Sequence, residues 1–212
     1  MRGRLITFEG PEGSGKSTQI QRLAAYLHAA GREVLLTREP GGTRLAERIR
    51  SLVREETDDP PVSRSEVLLF LAARAQLVST VIKPALAQGR WVLCDRFTDS
   101  TLAYQGYGRG LDLPLLKVFN DFAADGLMPD LTLLLDVPPA VSRARLAARQ
   151  AATDTTADRI EEAGEAFHTR LRDGFLDLAR AEPDRFVLID ATRSSEEVQA
   201  AVTDSVRRRW PE

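Results

Sequence analysis

The chain has 212 residues, of which 43% are hydrophobic and 28% are charged, the balance of one globular α/β domain spanning residues 1–212. A formal net charge of −2 excludes the basic excess of a nucleic-acid backbone binder, and the single cysteine, Cys94, excludes an internal disulfide and any multi-cysteine metal site. Because the amino end lacks the apolar segment of a signal peptide, we expect a cytoplasmic protein with no nucleic-acid or membrane partner.

Short apolar runs alternate with longer stretches of helical spacing, a pattern typical of βα units. Several runs are apolar at both alternate positions, so each strand should be covered on both faces, as in a parallel sheet. We predict an α/β fold with a five-stranded parallel sheet, flanked by helices on both faces, that binds ligands at the carboxyl ends of its strands. The predicted strands cover residues 5–8, 33–37, 91–94, 131–137 and 186–189.

Two helical patterns stand out. Residues 19–30 predict a helix that stops at Gly31, and residues 63–86 predict a long helix with Pro84 as a candidate end. The apolar face of the long helix is wide, which suits either a core helix or a dimer seam. The small, polar stretch 151–157 predicts a mobile loop and not a domain linker.

The strongest motif is GPEGSGKS, residues 10–17, which follows the first predicted strand and precedes a helix. This G-x4-GK[ST] pattern predicts a P-loop, in which main-chain N–H groups and the helix amino terminus hold polyphosphate. Lys16 should reach the β- and γ-phosphates, and the Ser17 hydroxyl should orient Mg²⁺. The predicted ATP-binding residues are Gly10, Pro11, Glu12, Gly13, Ser14, Gly15, Lys16, Ser17 and Thr18.

A P-loop does not by itself name a reaction. No N-K-x-D tetrapeptide is present, which argues against a GTPase. The third predicted strand ends in Asp95-Arg96, and not in the paired acidic residues of a hydrolytic ATPase. Since an arginine at this place suits a phosphate acceptor, we predict a P-loop kinase for a small substrate.

Further segments resemble the thymidylate kinase family: TREPGGT at 37–43, FLAARAQ at 70–76, DRF at 95–97, STLAYQG at 100–106 and DRIE at 158–161. With the P-loop, the resemblance covers residues 5 to about 190. It implies a P-loop kinase fold with a short mobile lid, Mg²⁺ as cofactor, and phosphoryl transfer from ATP to dTMP giving dTDP and ADP, in dTTP synthesis. It also implies a homodimer that forms through the long helix.

The resemblance implies a role for each acceptor residue. Arg38 and Arg96 would hold the 5′-phosphate, because guanidinium forks suit a phosphate dianion. Phe70 would stack on thymine and Arg74 would donate to a thymine carbonyl, although Phe70 alone could be a core residue and Arg74 a surface charge. Asp95 would contact Mg²⁺ through water, beside Ser17. The implied dTMP-binding residues are Glu12, Arg38, Pro40, Phe70, Arg74, Arg96, Ser100, Thr101, Tyr104 and Gln105.

No general base is required, because the acceptor is already an anion and catalysis consists of positioning and charge neutralisation. The phosphate loop carries Glu12 and no arginine, so the chain resembles the subtype whose extra arginine comes from a lid, here at about 143–159. Arg149 is our first candidate and Arg159 the second, beside Lys16, Glu12 and Arg96. Arg143 and Arg145 are equally well explained as solvated helix residues.

Two other functions are compatible with parts of the pattern. A kinase for another nucleotide or for a deoxynucleoside would share the P-loop, although a nucleoside kinase needs no arginines for an acceptor phosphate. A regulatory module that binds ATP without transferring phosphate would release no ADP in response to an acceptor. A panel of acceptors separates the three.

Overall fold

The computed structural model describes residues 2–55, 57–153 and 164–211. Its strands form one five-stranded sheet in the order β2-β3-β1-β4-β5, and every neighbouring pair is parallel. This confirms the predicted α/β architecture, and the boundaries differ from the predicted ones by a residue or two. The strands are β1 Leu5–Glu9, β2 Val34–Arg38, β3 Trp91–Asp95, β4 Leu131–Asp136 and β5 Phe186–Asp190.

Helices connect the strands. The α-helices are α1 Lys16–Ala29, α2 Arg44–Arg54, α3 Ser63–Leu77, α4 Lys83–Ala87, α5 Thr98–Thr101, α6 Leu113–Ala124, α7 Pro139–Thr153, α8 Glu165–Ala181 and α9 Ser195–Arg209. Two π-helical segments, Val78–Ile82 and Leu102–Gly108, continue α3 and α5.

The core lies on both faces of the sheet, which explains why the central strands β1, β3 and β4 are mostly apolar along their length. On one face, Leu23 of α1 and Val202 of α9 pack with Phe8 and Leu133. On the other face, residues of α3, α6 and α8 pack with Leu134 of β4. Cys94 is fully buried, and burial raises the pKa of its thiol well above the usual value, as expected for an inert cysteine.

The long helical run differs from its predicted end. Pro84 does not stop the helix, which continues to Ala87. The π-helical turn Val78–Ile82 lies immediately before it and widens the helix where the proline ring and its missing N–H would otherwise disrupt it. The run Ser63–Ala87 is long and apolar enough to cross a membrane, but its buried residues include Glu66 and Arg74 and it packs within the domain as a core helix does.

Strand order sets the place of the site. β1 lies between β3 and β4, so the connections from β1 and β3 leave the sheet on either side of one crevice. The P-loop follows β1, and the Asp95-Arg96 pair ends β3 beside it, with Phe8 opposite Asp95 in the register. Residues far apart in the chain therefore meet at one edge of the sheet.

Candidate active site

A cavity of about 640 Å³ lies at the carboxyl ends of β1 and β3. The P-loop forms one wall, and Pro40, which follows a cis peptide bond, also lines the cavity. The other walls come from α2, α3, α7 and the segment that joins α5 to its π-helical continuation. Its size is that of a pocket for a small molecule, and both charged and aromatic side chains line it.

The backbone of the P-loop requires glycine. Gly10 has φ of 133°, and a Cβ there would lie 2.4 Å from the carbonyl oxygen of Leu135. Gly15 has φ of 94° and is the residue from which α1 starts, so the helix begins at Lys16, three residues earlier than predicted. This left-handed turn directs the first N–H groups of α1 into the cavity, where they can bind phosphate.

Lys16 lies folded against the loop. Its Nζ donates to the carbonyl oxygens of Gly10 at 3.0 Å and Pro11 at 2.8 Å. Burial, with Arg96 nearby, lowers the pKa of Lys16 to about 8. A polyphosphate in the cavity would supply the counter-charge that restores its usual protonation, so nucleotide binding and the charge of Lys16 are coupled.

The Ser17 hydroxyl donates to Oδ2 of Asp95 across 3.2 Å. The hydroxyl at the start of α1 and the carboxylate at the end of β3 are hard oxygen donors of the kind that Mg²⁺ prefers. The pair therefore fits a magnesium ion that arrives with a nucleotide and keeps most of its ligands from phosphate and water.

Arg96 occupies the centre of the site. Its Nη2 donates to Glu12 at 2.7 Å, and its Nη1 donates to the Gly10 carbonyl at 3.1 Å and the Ser100 hydroxyl at 3.2 Å. Its φ is 70°, a strained conformation for arginine that these contacts hold in place. Burial opposes its charge, but Tyr104 and Glu12 raise the pKa of Arg96 above its usual value, so it remains a cation.

Glu12 is bound from two sides. The Tyr104 hydroxyl donates to both of its carboxylate oxygens, at 2.8 and 2.7 Å, and the guanidinium of Arg96 lies 4.9 Å from the Tyr104 ring centre. Burial works against ionisation, yet Arg96 and Lys16 hold the pKa of Glu12 below its usual value. Glu12 thus orients Arg96 and Tyr104 toward the same region of the cavity.

Arg74 is buried in the wall of the cavity and is not a surface charge. Its Nε and Nη2 donate to Oε2 of Glu39 at 2.8 and 2.6 Å. Its remaining N–H groups donate to Thr101, Asn120 and the Phe97 carbonyl. Since arginine has five N–H donors, any hydrogen bond from Arg74 to a ligand must be shared with one of these protein acceptors.

Most predicted acceptor residues meet in this cavity. Phe70 is half-buried on α3 and lines the cavity. The predicted dTMP-binding residues that line the cavity are Glu12, Pro40, Phe70, Arg74, Arg96, Ser100, Thr101, Tyr104 and Gln105.

Arg38 differs from the others. Its side chain is 53% exposed and its Nη2 donates to Glu47 at 3.0 Å, so its guanidinium does not line the cavity. Arg50 and Arg54 of α2 line it instead, and our sequence reasoning missed both. They lie on α2, about two and three helical turns after the TREPGGT segment. Their spacing of four residues puts them on one face of that helix, a signal that is present in the sequence.

The arginines of α7 have different environments. Arg145 donates to the Ala191 carbonyl at 2.9 Å and lines the cavity, whereas Arg143 is paired with Glu165 on the surface. Arg149 is exposed and lines the cavity near the end of α7. Arg159 and the DRIE segment lie outside the described residues.

Comparison with known proteins gives a consistent result. Residues 8–202 match the family model described as Thymidylate kinase. A thymidylate kinase of Deinococcus radiodurans is 51% identical over 210 residues, covering 98% of each chain, and one of Geobacter sulfurreducens is 50% identical, covering 99% of each. A crystal structure of thymidylate kinase from Ehrlichia chaffeensis matches with a TM-score of 0.78 and 36% identity, over 97% of this chain and all of that one.

Proposed function

The chain belongs to the thymidylate kinase family and phosphorylates dTMP with ATP; from this premise we propose that the γ-phosphoryl group crosses the cavity between the P-loop and Arg96. The observation that carries the proposal is the position of Arg96. It lies between Glu12 of the P-loop and Ser100 of α5, within the same cavity as Lys16. The donor and acceptor phosphates would therefore meet there.

We further propose that ATP binds along the P-loop, with residues 10–18 around its phosphates and Lys16 on the β- and γ-oxygens. Every residue of this stretch except Pro11 has a main-chain N–H to offer. Magnesium, held by Ser17 and Asp95, would neutralise charge on those phosphates when bound. Lys16 would leave the carbonyls of Gly10 and Pro11 and transfer its donors to phosphate. Loss of these internal bonds would be offset by stronger, charge-assisted ones.

On the acceptor side, Arg96 with Arg50 and Arg54 of α2 would hold the dTMP phosphate in line with the transferred group. Phe70 would stack on the base, and Tyr104 would lie beside the sugar carbon that carries no 2′-hydroxyl. Arg38 would contact the dTMP phosphate only if its ion pair with Glu47 broke. The dTMP phosphate is the nucleophile and needs no base, so positioning supplies most of the rate.

A direct test is ADP release from Mg-ATP with dTMP, dUMP, UMP, dCMP, AMP, GMP or thymidine as acceptor. We expect strong preference for dTMP, and loss of release when EDTA removes magnesium. Release that is equal without acceptor would indicate an ATPase. Release with thymidine but not dTMP would indicate a nucleoside kinase.

We propose that Arg149 neutralises charge on the transferred group in the transition state. It lines the cavity on the side of α7, near the end of that helix. Arg149→Ala should lower kcat by about 10²-fold, because one cationic donor aimed at the transition state is lost, and leave KM for dTMP within a few-fold. Steady-state kinetics checks this; Arg143→Ala, on the surface, is the control. Normal kcat with weakened dTMP binding would contradict it.

A homodimer is our proposal for the assembly, in the cytoplasm. α3 and α6 pack together, and they expose Leu68, Leu115, Val118 and Phe122, the last of them 86% exposed. Such an apolar surface favours association. Light scattering should give twice the chain mass of 23.4 kDa, and Phe122→Arg should give the monomer mass. Leu188→Arg, at an exposed leucine of β5, is the control and should stay dimeric. A wild-type monomer at micromolar concentration would refute the dimer.

A further inference from the structure

The proposed mechanism has no role for the buried carboxylate of Glu66, which contacts Gln105 in the wall of the cavity. Glu66, in the first turn of α3, has no exposed surface. Its Oε1 accepts from Nε2 of Gln105 at 2.9 Å and from Nε of Arg109 at 3.1 Å, and its Oε2 accepts from Nη2 of Arg109 at 3.2 Å. Glu66 thus links Gln105, which lines the cavity, to Arg109, which does not.

The chemistry of Glu66 and Arg109 determines which end of the Gln105 amide faces Glu66. Arg109 is a permanent cation and pairs with the carboxylate form of Glu66, which can only accept hydrogen bonds. A glutamine amide that meets such a carboxylate must offer its NH₂ end. Because Gln105 is 2% exposed and is held in the π-helical segment Leu102–Gly108, the carbonyl Oε1 is the end of the amide left for the cavity.

A fixed carbonyl distinguishes pyrimidines. Thymine and uracil present an N–H donor at N3, which matches a carbonyl oxygen, whereas cytosine presents a lone pair at N3, which faces it without a proton. A buried acceptor left unpaired costs enough to discriminate strongly between ligands. Arg74 is less able to discriminate between thymine and cytosine, since its five N–H groups already have protein acceptors.

We propose that Glu66 is a positioning residue for base selectivity, which holds the Gln105 amide with its carbonyl toward the base and is itself held by Arg109. The inference rests on the proposed function, because it assumes that the base of the acceptor lies against Gln105. Arg109 is fixed in turn: its guanidinium lies 5.7 Å from the centre of the Phe167 ring on α8. Selectivity would then depend on a contact that no acceptor touches.

The test is Glu66→Gln, which keeps the size of the side chain but can donate as well as accept. The Gln105 amide can then turn over at little cost and present its NH₂ end to the cavity. We expect the ratio of kcat/KM for dTMP to that for dCMP to fall by about 10-fold or more. The ratio for dTMP to dUMP should not change, because uracil and thymine share the same N3–H.

The ratio of kcat/KM for dTMP to that for dUMP shows whether the Gln105 amide has turned over or the pocket has simply become looser. A looser pocket would alter both the dCMP and the dUMP ratios. In a Gln105→Met background, where there is no amide to orient, Glu66→Gln should leave the dTMP to dCMP ratio unchanged. A folded Glu66→Gln variant with wild-type ratios would overturn the proposal, and so would equal changes toward dUMP and dCMP.

If Glu66→Gln does not unfold cooperatively in urea, Gln105→Met alone decides. The dTMP to dCMP ratio must then fall, since an unchanged ratio would mean that the amide does not read the base. Wild-type dTMP phosphorylation is measured in parallel. Its absence would contradict the proposed function, whereas its presence with unmoved ratios would contradict the selectivity role of Gln105 and Glu66 and leave the proposed function standing.

Discussion

Replacing Arg96 by methionine should lower kcat/KM for dTMP by about 10³-fold, the lower end of what an arginine that stabilises the transition state contributes to phosphoryl transfer. Arg96 holds a left-handed backbone conformation and contacts Glu12, Gly10 and Ser100. These contacts place its guanidinium before a ligand arrives. Methionine keeps much of the volume and removes the charge, so both acceptor binding and charge neutralisation should suffer.

Arg96→Lys should recover only part of the activity, because an ammonium group carries the charge but cannot make the forked contact. The matched control is Arg143→Met, since that arginine is exposed, paired with Glu165 and outside the cavity. Steady-state kinetics with dTMP and ATP varied in turn measures the effect. A loss below 10-fold in Arg96→Met would rule out a central role.

Arg185→Met should reduce the free energy of unfolding by about 3–5 kcal/mol, the cost of breaking a buried ion pair from one side. Arg185 donates to both oxygens of Asp99, at 2.7 and 3.0 Å, and to the Thr132 hydroxyl at 2.7 Å. The Asp99 side chain is 2% exposed. Without Arg185 its charge would remain in the core, where burial and Asp99 already raise the pKa of Glu9 to about 8.

Urea unfolding measures this effect from the shift of the midpoint at constant slope. The double variant Arg185→Met with Asp99→Leu should recover part of the loss, because it removes the unpaired charge together with its partner. Arg193→Met, which breaks an exposed pair with Asp190, is the control and should leave the midpoint unchanged. A midpoint for Arg185→Met equal to that of this control would show that the buried pair adds nothing.

Local signals in the sequence were sufficient for most of the fold. Each predicted strand is present. The central strands are buried on both faces of a parallel sheet and are therefore mostly apolar, and the edge strands β2 and β5 keep enough of that pattern to be recognised without a partner. The end of the long helix was the main uncertainty. Pro84 is a local stop signal, but the π-helical turn before it depends on how the helix packs, which a single residue does not reveal.

The site divides in the same way. The P-loop and the segment from Asp95 to Gln105 were predicted because their chemistry is concentrated in short motifs. Most of their predicted residues line one cavity, although Gly10, Pro11 and Ser14 of the P-loop do not. Arg38 was predicted from its motif, yet its guanidinium lies on Glu47, and Arg50 and Arg54 line the cavity in its place. Which of several arginines faces a ligand depends on the neighbours that compete for it.

The sequence by itself determined the class of fold, the phosphate-binding loop and the acceptor motifs, since each depends on residues close together in the chain. Only the tertiary structure decided how those residues are held: Arg74 by Glu39, Gln105 by Glu66, and Asp99 by Arg185, over separations of 35, 39 and 86 residues. These pairs leave no local pattern, because burial of a charge and the choice of its partner are set when distant elements pack against one another.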